Sequence, residues 1–243
     1  MQVDALVVRL RPRTPMEAAD LGARICQRAA RDIYACVLVA ALPVAGLAVA
    51  GFEVSAWLGA LVIWWSKPWL DRTILFVLSR TAFGQRTTLS DLWRAQRQVW
   101  WQHLLHTWTL RRLSPWRSLT QPVYQLEGGR LLGIGARVRQ IRRRKQGAGF
   151  LISLAFLLAE LALTAAVLSL TYWLTPEGET PVWIAIFSGE TPTIALGAFT
   201  LAYGSVVLFI EPFYVAAGFA LYLTRRAELE AWDIEQEFRR AFA

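Results

Sequence analysis

Residues 150–174 read FLISLAFLLAELALTAAVLSLTYWL, an apolar run interrupted by a single acid, Glu160. About 20 such residues, rising about 1.5 Å each, cross a ~30 Å hydrocarbon core. Each Leu, Ile, Val or Phe favours the bilayer by roughly 0.3–0.6 kcal/mol, so together they outweigh the roughly 3 kcal/mol that Glu160 costs there. The run predicts a transmembrane helix, and with it an integral membrane protein.

The rest of the chain points the same way. Of its 243 residues, 55% are hydrophobic and only 18% charged, against roughly 45–50% and about 25% in soluble domains. Residues 33–52 form a second apolar run, with Pro43 inside it, and Glu53 marks a short outer turn. The return run, 54–66, stops at Lys67-Pro68, and the apolar pattern resumes over 69–78. From Thr193 to Leu223 the chain is apolar except at Glu211-Pro212, and one straight helix of that length would be about 46 Å long, more than a bilayer needs. Spans 2 and 4 are therefore expected to break at a charged residue followed by proline. The second half of span 2 then bends along the inner interface.

All 26 Lys and Arg residues fall within 1–32, 66–149 and 224–243. Basic segments stay cytoplasmic, which predicts four crossings with both termini inside. The same placement explains the net charge of +8 without nucleic acid as a partner. The expected organisation is a cytoplasmic amphipathic helix in 1–32, a membrane hairpin in 33–79, a basic, Trp-rich interfacial region in 80–149, a second hairpin in 150–223 and an acidic cytoplasmic helix in 224–243. The first segment is too polar for a cleavable signal peptide. Its Thr14-Pro15-Met16-Glu17 has the form of a capping box with proline at the first helical position. The helix opened there presents Leu21, Ile25 and Ala29 on one face and Arg24, Arg28 and Arg31 on another, and is expected to rest on the inner leaflet. From Asp91 to Leu113 a helical projection gathers Trp93, Trp100, Trp101, Leu104, Leu105 and Trp108 opposite Gln98, Gln102 and His106, an interfacial helix that Ser114-Pro115 ends.

Each half of the chain thus has a full span, an outer loop and a return span with a charge before proline. Lys67-Pro68 precedes Leu78-Ser79-Arg80, and Glu211-Pro212 precedes Leu223-Thr224-Arg225. The fold expected is all-α, four spans in two parallel hairpin repeats related by an axis along the membrane normal, with cytoplasmic interfacial helices.

An ionisable residue inside a span is a functional candidate by default, which selects Lys67, Asp71, Arg72, Glu160 and Glu211. The repeat would bring Lys67 and Glu211 to equal depth with opposite charge. Both also fit a structural ion pair. The basic run Arg137, Arg139, Arg142, Arg143, Arg144 and Lys145 suits anionic lipid head groups, and equally well positive-inside anchoring of the third span. Acids of the tail, Glu228, Glu230, Asp233, Glu235 and Glu237, are placed to pair with that run or with a partner protein. His103 and His106 lack a third ligand nearby, Cys26 and Cys36 read as packing residues, and Gly133-Ile134-Gly135 lacks the rest of a dinucleotide loop. No metal, cofactor or enzymatic activity is expected.

The tail from Ala220 to Glu235, with Tyr222, Arg225, Arg226 and then Glu230, Asp233 and Glu235, resembles the closing segment of the glycerophosphoryl diester phosphodiesterase membrane-domain proteins and their bacterial relatives. Lys67-Pro68-Trp69-Leu70-Asp71-Arg72, Leu78-Ser79-Arg80, Phe83-Gly84, and the opening Leu10-Arg11-Pro12-Arg13 with Glu17 and Asp20-Leu21-Gly22 are similar to further signatures of that group. The phosphodiesterase barrel has no counterpart here. The resemblance implies a multi-span accessory or regulatory domain in the bacterial inner membrane.

The function expected from these features is a non-catalytic scaffold, assembly or regulatory partner of other membrane proteins, in contact with anionic lipids or self-associating. The alternative is binding or transport of a lipid or small solute at the paired breaks. A tight dry bundle favours the first, a cavity between the breaks the second.

Overall fold

The computed structural model describes residues 13–102, 108–109, 112–127, 131–174, 184 and 193–230. Among these, all regular structure is helical. Helix α1 is Pro15–Arg28, α2 Ala30–Val54, α3 Leu58–Ala82 and α4 Leu89–Arg94, followed by a π-helical turn, Arg97–Trp101. Then come α5, Arg117–Leu126, α6, Leu131–Arg142, α7, Gln146–Leu174, and α8, Thr193–Glu230.

Helices α2, α7 and α8 are long and apolar enough to cross a membrane. Their outward residues are large and hydrophobic, among them Leu42 and Val49 on α2, Leu158 and Leu161 on α7, and Ile194 and Leu201 on α8. In water such a surface would drive association; in lipid it is solvated. Helix α3 has the same 25-residue length as α2, but carries Lys67, Asp71 and Arg72. It packs along α2 and α8, which shield those charges.

The half of α8 beyond Pro212 is enclosed by protein. Residues Tyr214 to Leu223 are all buried, with α1, α3, α5 and α7 packed around the helix. Two glycines set the closest crossings. A Cβ on Gly22 of α1 would lie 2.5 Å from the Ala216 carbonyl oxygen, and one on Gly218 would overlap Ser118 Cβ of α5. Helix α1 opens with its capping box formed: Glu17 N donates to Thr14 Oγ1 at 3.3 Å and Thr14 N to Glu17 Oε2 at 2.9 Å. It seats directly on α8, because Ala18, Gly22 and Cys26 lie four apart on one face.

The breaks expected at Lys67-Pro68 and Glu211-Pro212 are absent. Helix α3 runs through Pro68, α8 through Pro212 and α2 through Pro43. Proline removes the amide that would bond the carbonyl four residues back, and a side chain from elsewhere can supply a donor in its place. For Pro68 that carbonyl is Trp64 O, which accepts from Arg112 Nη2. One turn before Pro43, Ala40 O accepts from Trp69 Nε1 at 3.0 Å, and before Pro212, Phe209 O accepts from Tyr34 Oη at 3.3 Å. The second half of α3, from Leu70 to Leu78, is accordingly a core element and is not bent along the interface.

The expected continuous helix over 91–113 is also absent. Helix α4 ends at Ala95, the π-helical turn follows, and Gln102 is extended. Trp100 leaves the lipid side, stacking on Trp69 at 5.0 Å between centroids and donating to Thr73 Oγ1 at 2.9 Å. Arg72 donates to Val99 O and Gln102 O, drawing the turn onto α3. Trp93 and Trp101 stay exposed. Residues 103–107, with His103 and His106, the acidic tail beyond Glu230 and the first twelve residues lie outside the described residues.

Candidate functional site

Where α3, α5, α7 and α8 meet, six charged side chains are buried together. Lys67 leaves α3 one residue before Pro68, and Glu211 leaves α8 one residue before Pro212. Lys67 Nζ lies 3.1 Å from Glu211 Oε2 and also bonds Glu160 Oε2 of α7. Glu211 Oε1 accepts from Arg117 Nη2 of α5 at 2.6 Å, and Arg117 Nε lies 2.9 Å from Asp71 Oδ2. The chain of charge therefore runs Glu160, Lys67, Glu211, Arg117, Asp71, alternating in sign. Alternation is what makes such burial tolerable, since an unpaired ion there would lose its hydration without compensation. The rings of Tyr203, 5.9 Å from Lys67 Nζ, and Tyr214, 5.3 Å from Arg117 Cζ, flank the cations.

Arg112 is the sixth. It is only 7% exposed, stacks on the Trp64 ring at 4.2 Å and donates to the Trp64 carbonyl. No carboxylate lies within ion-pair distance of it among the described residues, and its Nε has no hydrogen-bond partner there. Burial pulls the Arg112 guanidinium down to about 10, so it is charged at neutral pH. Burial acts on Arg117 too, but the Asp71 carboxylate, with Tyr214 and Glu211, more than reverses it and holds that guanidinium above its ordinary value.

Five of the six, all but Asp71, line a cavity of about 230 Å³. Trp64 and Lys67 of α3, Ser153, Phe156, Leu157 and Glu160 of α7, Ile210, Glu211 and Tyr214 of α8, Arg117 and the segment Arg112–Pro115 form its wall. From Ser153 to Glu160 it follows α7 for about 10 Å at 1.5 Å per residue. Ser153 Oγ lies 3.1 Å from Tyr214 Oη and also bonds Pro115 O, tying α7 to α8 and to the segment before α5. The cavity wall offers hydrogen-bond donors and acceptors and side chains of both charge signs.

Lys67, Asp71, Glu160 and Glu211, singled out from the sequence, are thus brought to one place. Arg72 turns away, to the π-helical turn, and Gln125 Nε2 donates to its carbonyl at 2.8 Å. Sequence reasoning missed Arg112 and Arg117, which stand in a basic segment where positive-inside placement already accounts for arginine. The proline at 68 held the only clue: its orphaned carbonyl needs a donor. In the basic run, Arg137 Nε pairs with Glu127 at 2.8 Å and Arg137 also with Glu230, Lys145 pairs with Glu228 at 2.7 Å, and Arg142 stacks on Trp116 at 4.6 Å. Arg139, Arg143 and Arg144 are exposed. Three of the six lipid-head-group candidates are therefore engaged within the protein.

No protein-family model, curated protein or solved structure matches this chain.

Proposed function

We propose that the protein is a non-catalytic integral membrane protein that binds the polar part of a lipid or small solute in the charged cavity. The observation that carries this is the cavity itself, 230 Å³ of space walled by Lys67, Glu160, Glu211, Arg112 and Arg117. A scaffold needs contacts between helices, and filling this space with apolar side chains would serve it better. Intramembrane charge around open space is the usual mark of a binding or transport path. In the same proposal the chain crosses the bacterial cytoplasmic membrane four times, α3 included, with both termini inside; the confinement of all 26 basic residues to three segments supports this. The two hairpins, α2–α3 and α7–α8, form the parallel repeat, supported by Lys67 and Glu211 meeting beside equivalent prolines. Kinship with the glycerophosphoryl diester phosphodiesterase membrane-domain group belongs to the proposal as well, resting on Tyr222, Arg225, Glu230 and the motif at 67–72.

The test is to purify the protein in mild detergent, extract what it carries and identify it by mass spectrometry, then repeat with Glu160→Gln and Lys67→Met. Loss of a bound molecule from variants that keep their helicity supports the proposal. Identical cargo in all three forms defeats it. Assembly with another membrane protein is the second reading, favoured by the lipid-facing groove between α2, α3 and α8 where Ala45, Ala48, Gly197 and Gly204 leave room for a partner's helix. A stoichiometric protein co-purifying with all three forms would put that reading first.

A further inference from the structure

The charges around the cavity balance in sum but not in place. Three carboxylates, Glu160 and Glu211 in the wall and Asp71 behind it on Arg117, share two cations within ion-pair distance, Lys67 and Arg117, a formal excess of one negative charge. The compensating positive charge is Arg112, beside Trp64 and outside ion-pair distance of these carboxylates, buried and with Nε unpartnered among the described residues. A guanidinium is matched by phosphate or carboxylate; an excess carboxylate charge among aromatic rings is matched by an ammonium. At about 30 Å³ per water, the space holds roughly seven or eight waters, or a polar group of that size.

The mouth indicates where such a group enters. The most exposed lining residues are Leu113, at 72%, and Leu157, at 49%, so the opening is rimmed by leucines that continue the outward face of α7 through Leu158 and Leu161. A ligand with an apolar tail keeps that tail in the bilayer while its head lies inside.

We infer that the cavity seats an ammonium–phosphate zwitterion, the head group of a zwitterionic phospholipid, with its phosphate on Arg112 and its ammonium toward Glu160 and Glu211. This rests on the proposed binding function and names its ligand class. The same chemistry in a free, soluble molecule would satisfy the charges but make no use of the leucine rim.

The test is native mass spectrometry of the purified full-length protein, delipidated and exposed to vesicles of phosphatidylethanolamine, to vesicles of phosphatidylglycerol, or to soluble glycerophosphoethanolamine. Wild type is expected to retain phosphatidylethanolamine at least tenfold over phosphatidylglycerol, and soluble head group only weakly. Arg112→Gln should cut that retention at least fivefold. Arg139→Gln, an exposed cation outside the cavity, should leave it unchanged. Because Arg112→Gln also disturbs α3, Leu157→Trp serves as a second variant, filling the mouth without touching the charge cluster, and it too should release the lipid. Preference for phosphatidylglycerol, or tight retention of the soluble head group in place of the lipid, lost in the same variants, overturns the zwitterionic-lipid assignment but spares the binding cavity. Retention indifferent to both Arg112→Gln and Leu157→Trp overturns the assignment and the binding function together.

Discussion

Arg112 donates a hydrogen bond to the carbonyl of Trp64, the helical acceptor that Pro68 leaves without an amide. One side chain thereby holds α3 continuous through its proline and forms a wall of the cavity. The two roles can be separated. Arg112→Leu should destabilise the folded protein by roughly 1–3 kcal/mol, the cost of a buried acceptor left unpaired. In a Pro68→Ala background, where the regained backbone amide at position 68 can serve Trp64 O, the same substitution should cost at least about 1 kcal/mol less. Denaturation in detergent micelles measures both, and equal losses in the two backgrounds would refute the relationship.

The charge cluster predicts an unequal rescue. Lys67→Met should destabilise by roughly 3–5 kcal/mol, because it strands Glu160 and takes one of the two cations from Glu211. Glu160→Gln should then restore most of that loss, since Lys67 is the one cation within ion-pair distance of Glu160 among the described residues. Glu211→Gln should restore less, because Glu211 keeps Arg117 at 2.6 Å and its removal deprives Arg117 as well. A double-mutant cycle showing stronger coupling between positions 67 and 211 than between 67 and 160 would contradict the geometry.

Two helical glycines should respond oppositely to alanine. Gly22→Ala drives a Cβ to 2.5 Å from the Ala216 carbonyl, and overpacking of this kind costs roughly 1–3 kcal/mol. Gly46 has nothing within 4 Å of its would-be Cβ, so Gly46→Ala should stabilise by up to about 1 kcal/mol through helix propensity. Thermal unfolding monitored by circular dichroism distinguishes the two, and a stable Gly22→Ala protein would mean that α1 does not seat on α8.

Membrane sidedness can be read with single cysteines in the otherwise native chain. Burial pushes the Cys26 thiol up to about 11, leaving little thiolate near neutral pH, and Cys36 is buried, so neither should react in the folded protein. In the proposed orientation Glu53→Cys, exposed near the end of α2, should label with an impermeant maleimide in intact cells. Arg139→Cys, exposed on α6, should label only after permeabilisation. Labelling of position 139 in intact cells would overturn the proposed orientation.

What the sequence disclosed follows the range of the forces involved. The capping box at Thr14 and Glu17 spans four residues, and its chemistry is local, so it could be read directly. The apolar runs that became α2, α7 and α8 are likewise self-sufficient, each long enough alone to meet the bilayer's demand. Lys67 and Glu211 stood out because charge before proline recurs in both halves. The continuity of α3 did not, because the donor that rescues Trp64 O comes from Arg112, far along the chain. Trp100 was misjudged for a related reason: a tryptophan stripe facing lipid and one facing another tryptophan have the same helical spacing. Only the approach of Trp69 and Thr73 separates them.

The seating of α1 on α8 bears on how the protein is made. Gly22 and Ala216 touch, yet they are nearly the length of the chain apart. At ~5–20 residues per second of synthesis, roughly ten to forty seconds pass after Gly22 is made before Ala216 exists. During that interval α2 can insert into the bilayer, but α1 has no surface to cover its Ala18, Gly22 and Cys26 face. Helix α1 therefore docks on its seat only once the part of α8 around Ala216 has been made. A chain truncated before Ala216 should leave its N-terminal helix undocked and open to proteases, while its earlier hairpin is already embedded.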